Sequence, residues 1–97
     1  MNTQTQIIKV AATSESKKVA NAILHRFGEN ENATLEIQAI GAHPVNQAIK
    51  AVAIARKETL PAGFDISCAP SFQNILFPEN RTTTAIVLTL KLIVITE

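Results

Sequence analysis

At 97 residues and 46% apolar, the chain can bury one modest core and is too short to divide into several domains. Its four aromatics are all Phe, so that core must be packed from Ile, Val, Leu and Ala. A formal charge of +1 counts mildly against holding nucleic acid by overall charge, leaving local patches for that role, and the single cysteine excludes an internal disulfide and fits a reducing compartment.

Residues 1–6, MNTQTQ, read as a disordered lead-in without the apolar region of a secretory leader, and residues 7–97 as one domain. Ile7 to Ala12 alternates, with Ile8, Val10 and Ala12 on one side, which predicts a short half-buried strand. TSES follows, with Ser14 or Ser16 as the helix cap. Val19, Ala20, Ile23, Leu24 and Phe27 then share one helical face, Lys18, Asn21 and His25 lie opposite, and Gly28 is expected as a left-handed C-cap.

Thr34 to Ile40 alternates again, with Leu35, Ile37 and Ala39 set against Glu36 and Gln38. Gly41 breaks that strand, and Pro44 suits the first helical position, where its missing N–H is no loss. The second helix is expected from Pro44 to Lys57. Its phase puts Val45, Ala48, Ile49, Val52 and Ala55 in the core, Asn46, Lys50 and Lys57 on a polar ridge, and Ile54 on the wet face. Phe64 to Ala69 is a third strand, which Pro70 marks as an edge or a bulge, and Ser71 to Phe77 can continue it. PENR forms a hairpin tip before the longest strand, Thr83 to Ile95, with Ile86, Leu88, Leu90, Leu92 and Val94 facing inward. Val87, Ile93 and Ile95 make its other face too apolar to stay wet, which points to a partner chain or to further burial. The same stretch is broken by Thr89 and Lys91 and is too short to span a bilayer, so a cytoplasmic protein without a membrane partner is expected.

The order β-α-β-α-β-β predicts an α+β two-layer sandwich, a mixed four-stranded sheet with two helices on one face. Catalysis finds little support. Asp65 is the only aspartate, Cys68 sits in a strand pattern and reads as a packed core thiol, and the two histidines have no metal-ligand spacing with it. His25 reads as a solvated side chain, and His43 as a turn residue or a ligand contact. A non-enzyme without metal or cofactor is expected. The turn GAHPVNQ offers a helix N-terminus with Asn46, Gln47 and Lys50 beside it, which suits either an anion or a well-solvated first turn. Lys17 and Lys18 lie at the end of the helix dipole that disfavours cations, so they are either indifferent surface charge or kept for an external anion. Lys50 and Arg81 can join them, while no Phe stands in an obvious stacking arrangement with a basic residue.

IQAIGAHPVNQAIKAVAIAR, Ile37 to Arg56, resembles the signature of the bacterial stage V sporulation protein S family. IIKVAATSESKKVANAI, DISCAPSF and LKLIVITE are similar to that family's first strand and helix, third strand and last strand. The chain departs from the family pattern in a longer loop at ENENAT and a longer final hairpin at ENRTTTAIVLT. The family is related in fold to the Alba group, whose members bind nucleic acid and commonly dimerise. In that group a lysine pair before an x-V-x-N helix opening contacts nucleic acid, and Lys17-Lys18-Val19-Ala20-Asn21 is similar to it. The group's hairpin arms embrace the duplex, a looser parallel for Arg81. The resemblance thus implies a dimeric nucleic-acid-binding regulator, connected with sporulation, that touches phosphates (of DNA or RNA) and reads bases little. Lys17, Lys18, Asn21, Asn46, Gln47, Lys50 and Arg81 are its candidate contacts. Two other readings stand beside it: a protein-interaction scaffold of the same fold, and a small-anion binder at the GAHPVNQ turn.

Overall fold

A computed structural model describes residues 5–95. The elements are β1 (Thr5–Val10), α1 (Ser16–Glu29), β2 (Thr34–Ala39), α2 (Ala42–Thr59), β3 (Phe64–Phe77) and β4 (Arg81–Val94), with short 3-10 turns at Leu60–Ala62 and Pro78–Asn80. The sheet order is β1-β2-β4-β3, parallel between β1 and β2 and antiparallel elsewhere. This is the mixed four-stranded α+β arrangement that the element order predicts. β1 begins two residues earlier than the alternation from Ile7 indicates, so Thr5 and Gln6 of the expected lead-in pair with β2, and residues 1–4 lie outside the described range.

Ile8 and Val10, Leu35, Ile37 and Ala39, and Leu88 and Leu90 line the inner face of the sheet. Val19, Ala20, Ile23 and Phe27 of α1, with Ala48, Ala51, Val52 and Ala55 of α2, complete the core. Ile23, Leu35, Ile37 and Leu90 are the largest fully buried side chains, each contributing roughly 1.5–3 kcal/mol by burial.

Several sequence expectations are corrected here. In α2 the buried side chains are Pro44, Ala48, Ala51, Val52, Ala55 and Thr59, whereas Ile49 is 46% exposed. The buried arc is centred on Ala48. It takes in Ala51, leaves Ile49 on the flank, and draws Ile54 half into the core from the side facing α1. α2 begins at Ala42, so Pro44 is its third residue, still within the turn whose N–H groups lack helical partners. Gly28 lies inside α1 with no positive φ. The helix ends at Asn30, whose N–H donates to the Arg26 carbonyl. Neither serine caps α1: Glu15 holds that position without a side-chain bond, and the Ser14 hydroxyl accepts from the Ala11 N–H.

β3 is an edge strand, as Pro70 indicates, and its pairing with β4 runs without a bulge from Phe64↔Val94 to Phe77↔Arg81. β2 pairs with β4 only as far as Ala39↔Ile86. Beyond that point Gln73–Phe77 and Arg81–Ala85 pair with each other alone and form a two-stranded arm. The arm accounts for the elongated extents of 51 × 30 × 20 Å. Phe72, in the last four-stranded row, and Leu76, on the arm, share the inner face of β3 and are 79% and 71% exposed. Cys68, expected as a packed thiol, is exposed as well, on the edge strand β3 within the four-stranded part. Partial desolvation still raises its pKa, which argues against an activated thiolate. Val87 is buried on the outer face beside the Gln38–Gln73 side-chain hydrogen bond, while Ile93 and Ile95 remain exposed.

Candidate functional site

β1 and β2 are parallel, and each feeds a helix that returns across the sheet, so α1 and α2 run side by side with their N-termini at one end. A hydrogen bond fixes that register: Gln47 Nε2 in the second turn of α2 donates to the Ser14 carbonyl just before α1, at 3.0 Å. The arm leaves from this same end, because β4 crosses the carboxyl end of β2 at Ile86.

Five of the seven candidate residues therefore collect at one end of the helix layer, and Lys50 lies midway along α2, about 12 Å from its start. Lys17 and Lys18 occupy the first turn of α1, and Asn21 follows one turn later, all exposed. Asn46 is exposed and Gln47 half-buried early in α2, and Lys50 is exposed one turn farther on, at the ninth of its eighteen residues. Gln47 spends its amide on Ser14, which makes it a tie between the helices. Arg81 stands apart, five paired residues beyond the end of β2, or roughly 17 Å along the arm.

The electrostatics of this end favour an anion. Neither helix has an acidic residue in its first turn or a side-chain cap, so backbone N–H groups and the positive end of each dipole face outward. The first helical hydrogen bonds are Val19 N–H to the Glu15 carbonyl in α1 and Val45 N–H to the Gly41 carbonyl in α2. Lys18 lies 3.9 Å from Glu15, an exposed pair of the kind worth little. Lys17 and Lys50 make no ion pair among the described residues. By helical phase Lys17 lies on the flank of α1 that faces α2, and Lys50 on the outer side of α2 toward α1.

At the arm tip the Arg81 guanidinium sits 5.1 Å from the centre of the Phe77 ring. This is a stacked aromatic–basic pair that the sequence reading does not anticipate. Its signal is visible in retrospect, since Phe77 and Arg81 flank the turn and are directly paired. Glu79 and Asn80 adopt left-handed backbone between them. A shallow, mostly apolar hollow of about 350 Å³ lies at the carboxyl ends of β1 and β2, with Lys9 as its charged side chain. Among the described residues no His, Cys, Asp and Glu cluster can hold a metal, and no helix is long and apolar enough to cross a membrane.

Residues 6–93 match the family Stage V sporulation protein S (SpoVS). The chain belongs to that family. Its fold is also similar to that of Alba from Thermoplasma volcanium, at a TM-score of 0.61 and 18% identity over 88% of this chain and 98% of that one. At that identity the likeness concerns the fold alone. Within this SpoVS-family chain the signature Ile37–Arg56 divides between packing, through Ala48, Ala51, Val52 and Ala55, and the exposed Asn46 near the helix opening with Lys50 one turn beyond it.

Proposed function

We propose that this chain is a non-enzymatic, cytoplasmic, nucleic-acid-binding regulator that acts as a dimer and holds the phosphate backbone at the shared helix N-terminal end. The observation that carries this reading is the juxtaposition itself. Two parallel helices present N-termini side by side with no side-chain cap and no acidic residue in the first turn, Glu15 standing at the cap position of α1. Lys17 and Lys18 lie in the first turn of one helix and Lys50 midway along the other. Lys17, Lys18 and Lys50 supply charge, Asn21 and Asn46 supply side-chain hydrogen bonds, and Gln47 holds the two helix ends in register. Arg81, steadied by Phe77, adds a contact at a distance. The charged candidate contacts are lysines and one arginine, which suits positioning on phosphate more than reading of bases. Membership of the sporulation family supports a regulatory role in that process.

The test is a titration of duplex DNA and of RNA across a salt series. With about four phosphates neutralised, log affinity falls against log salt with a slope of roughly −3 to −4. A flat salt response, or full binding retained in a Lys17→Ala/Lys18→Ala variant, overturns the assignment. A scaffold role without nucleic acid is favoured by apolar residues left exposed, Phe72 and Leu76 on the uncharged face of β3 and Ile93 and Ile95 on the outer face of the sheet. A defined protein partner recovered after nuclease treatment supports that second reading.

A further inference from the structure

The free edge of β3 carries a feature that the helix end does not explain. The Ile95 N–H donates to the Gly63 carbonyl, which sets the alternation of the β3–β4 ladder. Odd-numbered residues of β3 therefore turn their backbone groups toward β4, and even-numbered ones turn theirs outward. Phe72, Asn74 and Leu76 thus offer three outward N–H groups and three outward carbonyls, with no strand beside them. Pro70 also falls in the outward set, where its missing N–H interrupts the edge.

The open segment is symmetric about Asn74. Pro70 and Pro78 bracket it four residues away on each side, and Phe72 and Leu76 lie two away, both highly exposed on one face. No charged residue occurs between Asp65 and Glu79, so two such edges meet without like-charge repulsion. We propose that this segment is a self-pairing edge, at which a second copy of this chain adds antiparallel across a two-fold axis through Asn74. Phe72 then lies opposite the second copy's Leu76, and Leu76 opposite its Phe72, while the two Asn74 residues face each other at the axis. Up to six backbone hydrogen bonds close between the arms. The prolines at both ends stop the pairing from slipping along the strand. Because the same patch serves both copies, the contact is closed at two. Pairing of β3 with the β1 edge of another copy is instead open-ended. The phosphate-binding end takes no part in this interface.

Sedimentation of the full chain over a concentration series tests the pairing. Wild type forms a dimer and nothing larger. Phe72→Glu weakens self-association by at least ~10-fold, because it replaces an apolar cross-strand pair at two symmetric positions. The double variant Phe72→Glu/Leu76→Lys sets opposite charges against each other across the axis and recovers the dimer. Hydrogen exchange needs no variant: the Phe72, Asn74 and Leu76 amides gain protection as concentration rises. A monomer throughout, species larger than a dimer, a dimer that survives Phe72→Glu, or a double variant without rescue each overturns the pairing. The Lys17→Ala/Lys18→Ala chain remains dimeric whatever its affinity for nucleic acid, so failure of one idea is distinguishable from failure of the other.

Discussion

Arg56 and Asp65 tie the last turns of α2 to the start of β3 through two hydrogen bonds, Nε to Oδ1 and Nη2 to Oδ2, and Oδ1 also accepts the Ile66 N–H. The Arg56 hydrogen bond, followed by the Ile66 N–H, holds the Asp65 carboxyl below its ordinary pKa, and Asp65 in turn raises that of Arg56. A carboxyl depressed in the folded chain adds stability above its unfolded value of about 3.9, and that stability is lost as pH falls through the folded value. The difference in Tm between wild type and Asp65→Asn is therefore positive at neutral pH, shrinks below about pH 4, and vanishes in more acidic solution. It also shrinks with salt, because both groups are reached by solvent. A difference that grows on acidification contradicts the pairing. Other single residues follow burial. Ile23→Ala is expected to cost about 2–5 kcal/mol in chemical denaturation, whereas Ile49→Ala stays within about 0.5 kcal/mol. The sequence ranked Ile49 above Ala51 for the core because hydropathy rewards size. Small side chains where α2 meets the sheet and α1 reverse that order.

At the scale of elements, two glycines carry opposite expectations. Gly41 has φ 97° between β2 and α2, and a Cβ there meets Pro44 Cδ at an ordinary 3.8 Å, so only the backbone conformation resists substitution. Gly41→Ala is expected to destabilise by about 1–3 kcal/mol, because this extended positive-φ conformation is essentially confined to glycine. Gly28 lies within α1, where an added Cβ meets nothing within 4 Å, so Gly28→Ala is expected to stabilise by up to about 1 kcal/mol. Thermal melts of the two variants moving in the same direction contradict this assignment. Strand alternation and the glycine at Gly41 made all four strands and both helices legible in the sequence. Gly28 misled because it follows the last apolar residue of the α1 face, Phe27, where a cap is expected, and the helix runs one residue past it to Glu29. Cys68 misled because alternation says which face a side chain takes and not whether another layer lies above it. Cys68 continues Ile66's face on the outermost strand of the sheet, and it is exposed although Ile66, two residues earlier on that face, is buried.

The whole molecule shows a division of labour. One end of the helix layer gathers cations and free backbone donors, while β3 and the turn after it are uncharged from Ile66 to Pro78, with the arm's charges, Glu79 and Arg81, at its tip. Lysines far from that end share the net charge without sharing the site, and this separates a built interface from a general cationic surface. Lys57 lies seven residues beyond Lys50 on the same ridge of α2, about 10 Å farther from the helix N-terminus. If phosphate is held by the helix ends, Lys17→Ala/Lys18→Ala lowers affinity for duplex and single strand alike and reduces the salt slope by about two. Lys50→Ala reduces it by about one, and Lys57→Ala leaves both affinity and slope unchanged. Titrations at several salt concentrations read all four slopes. Equal losses in Lys50→Ala and Lys57→Ala show that charge alone draws the nucleic acid, and the juxtaposed helix ends are then not its site.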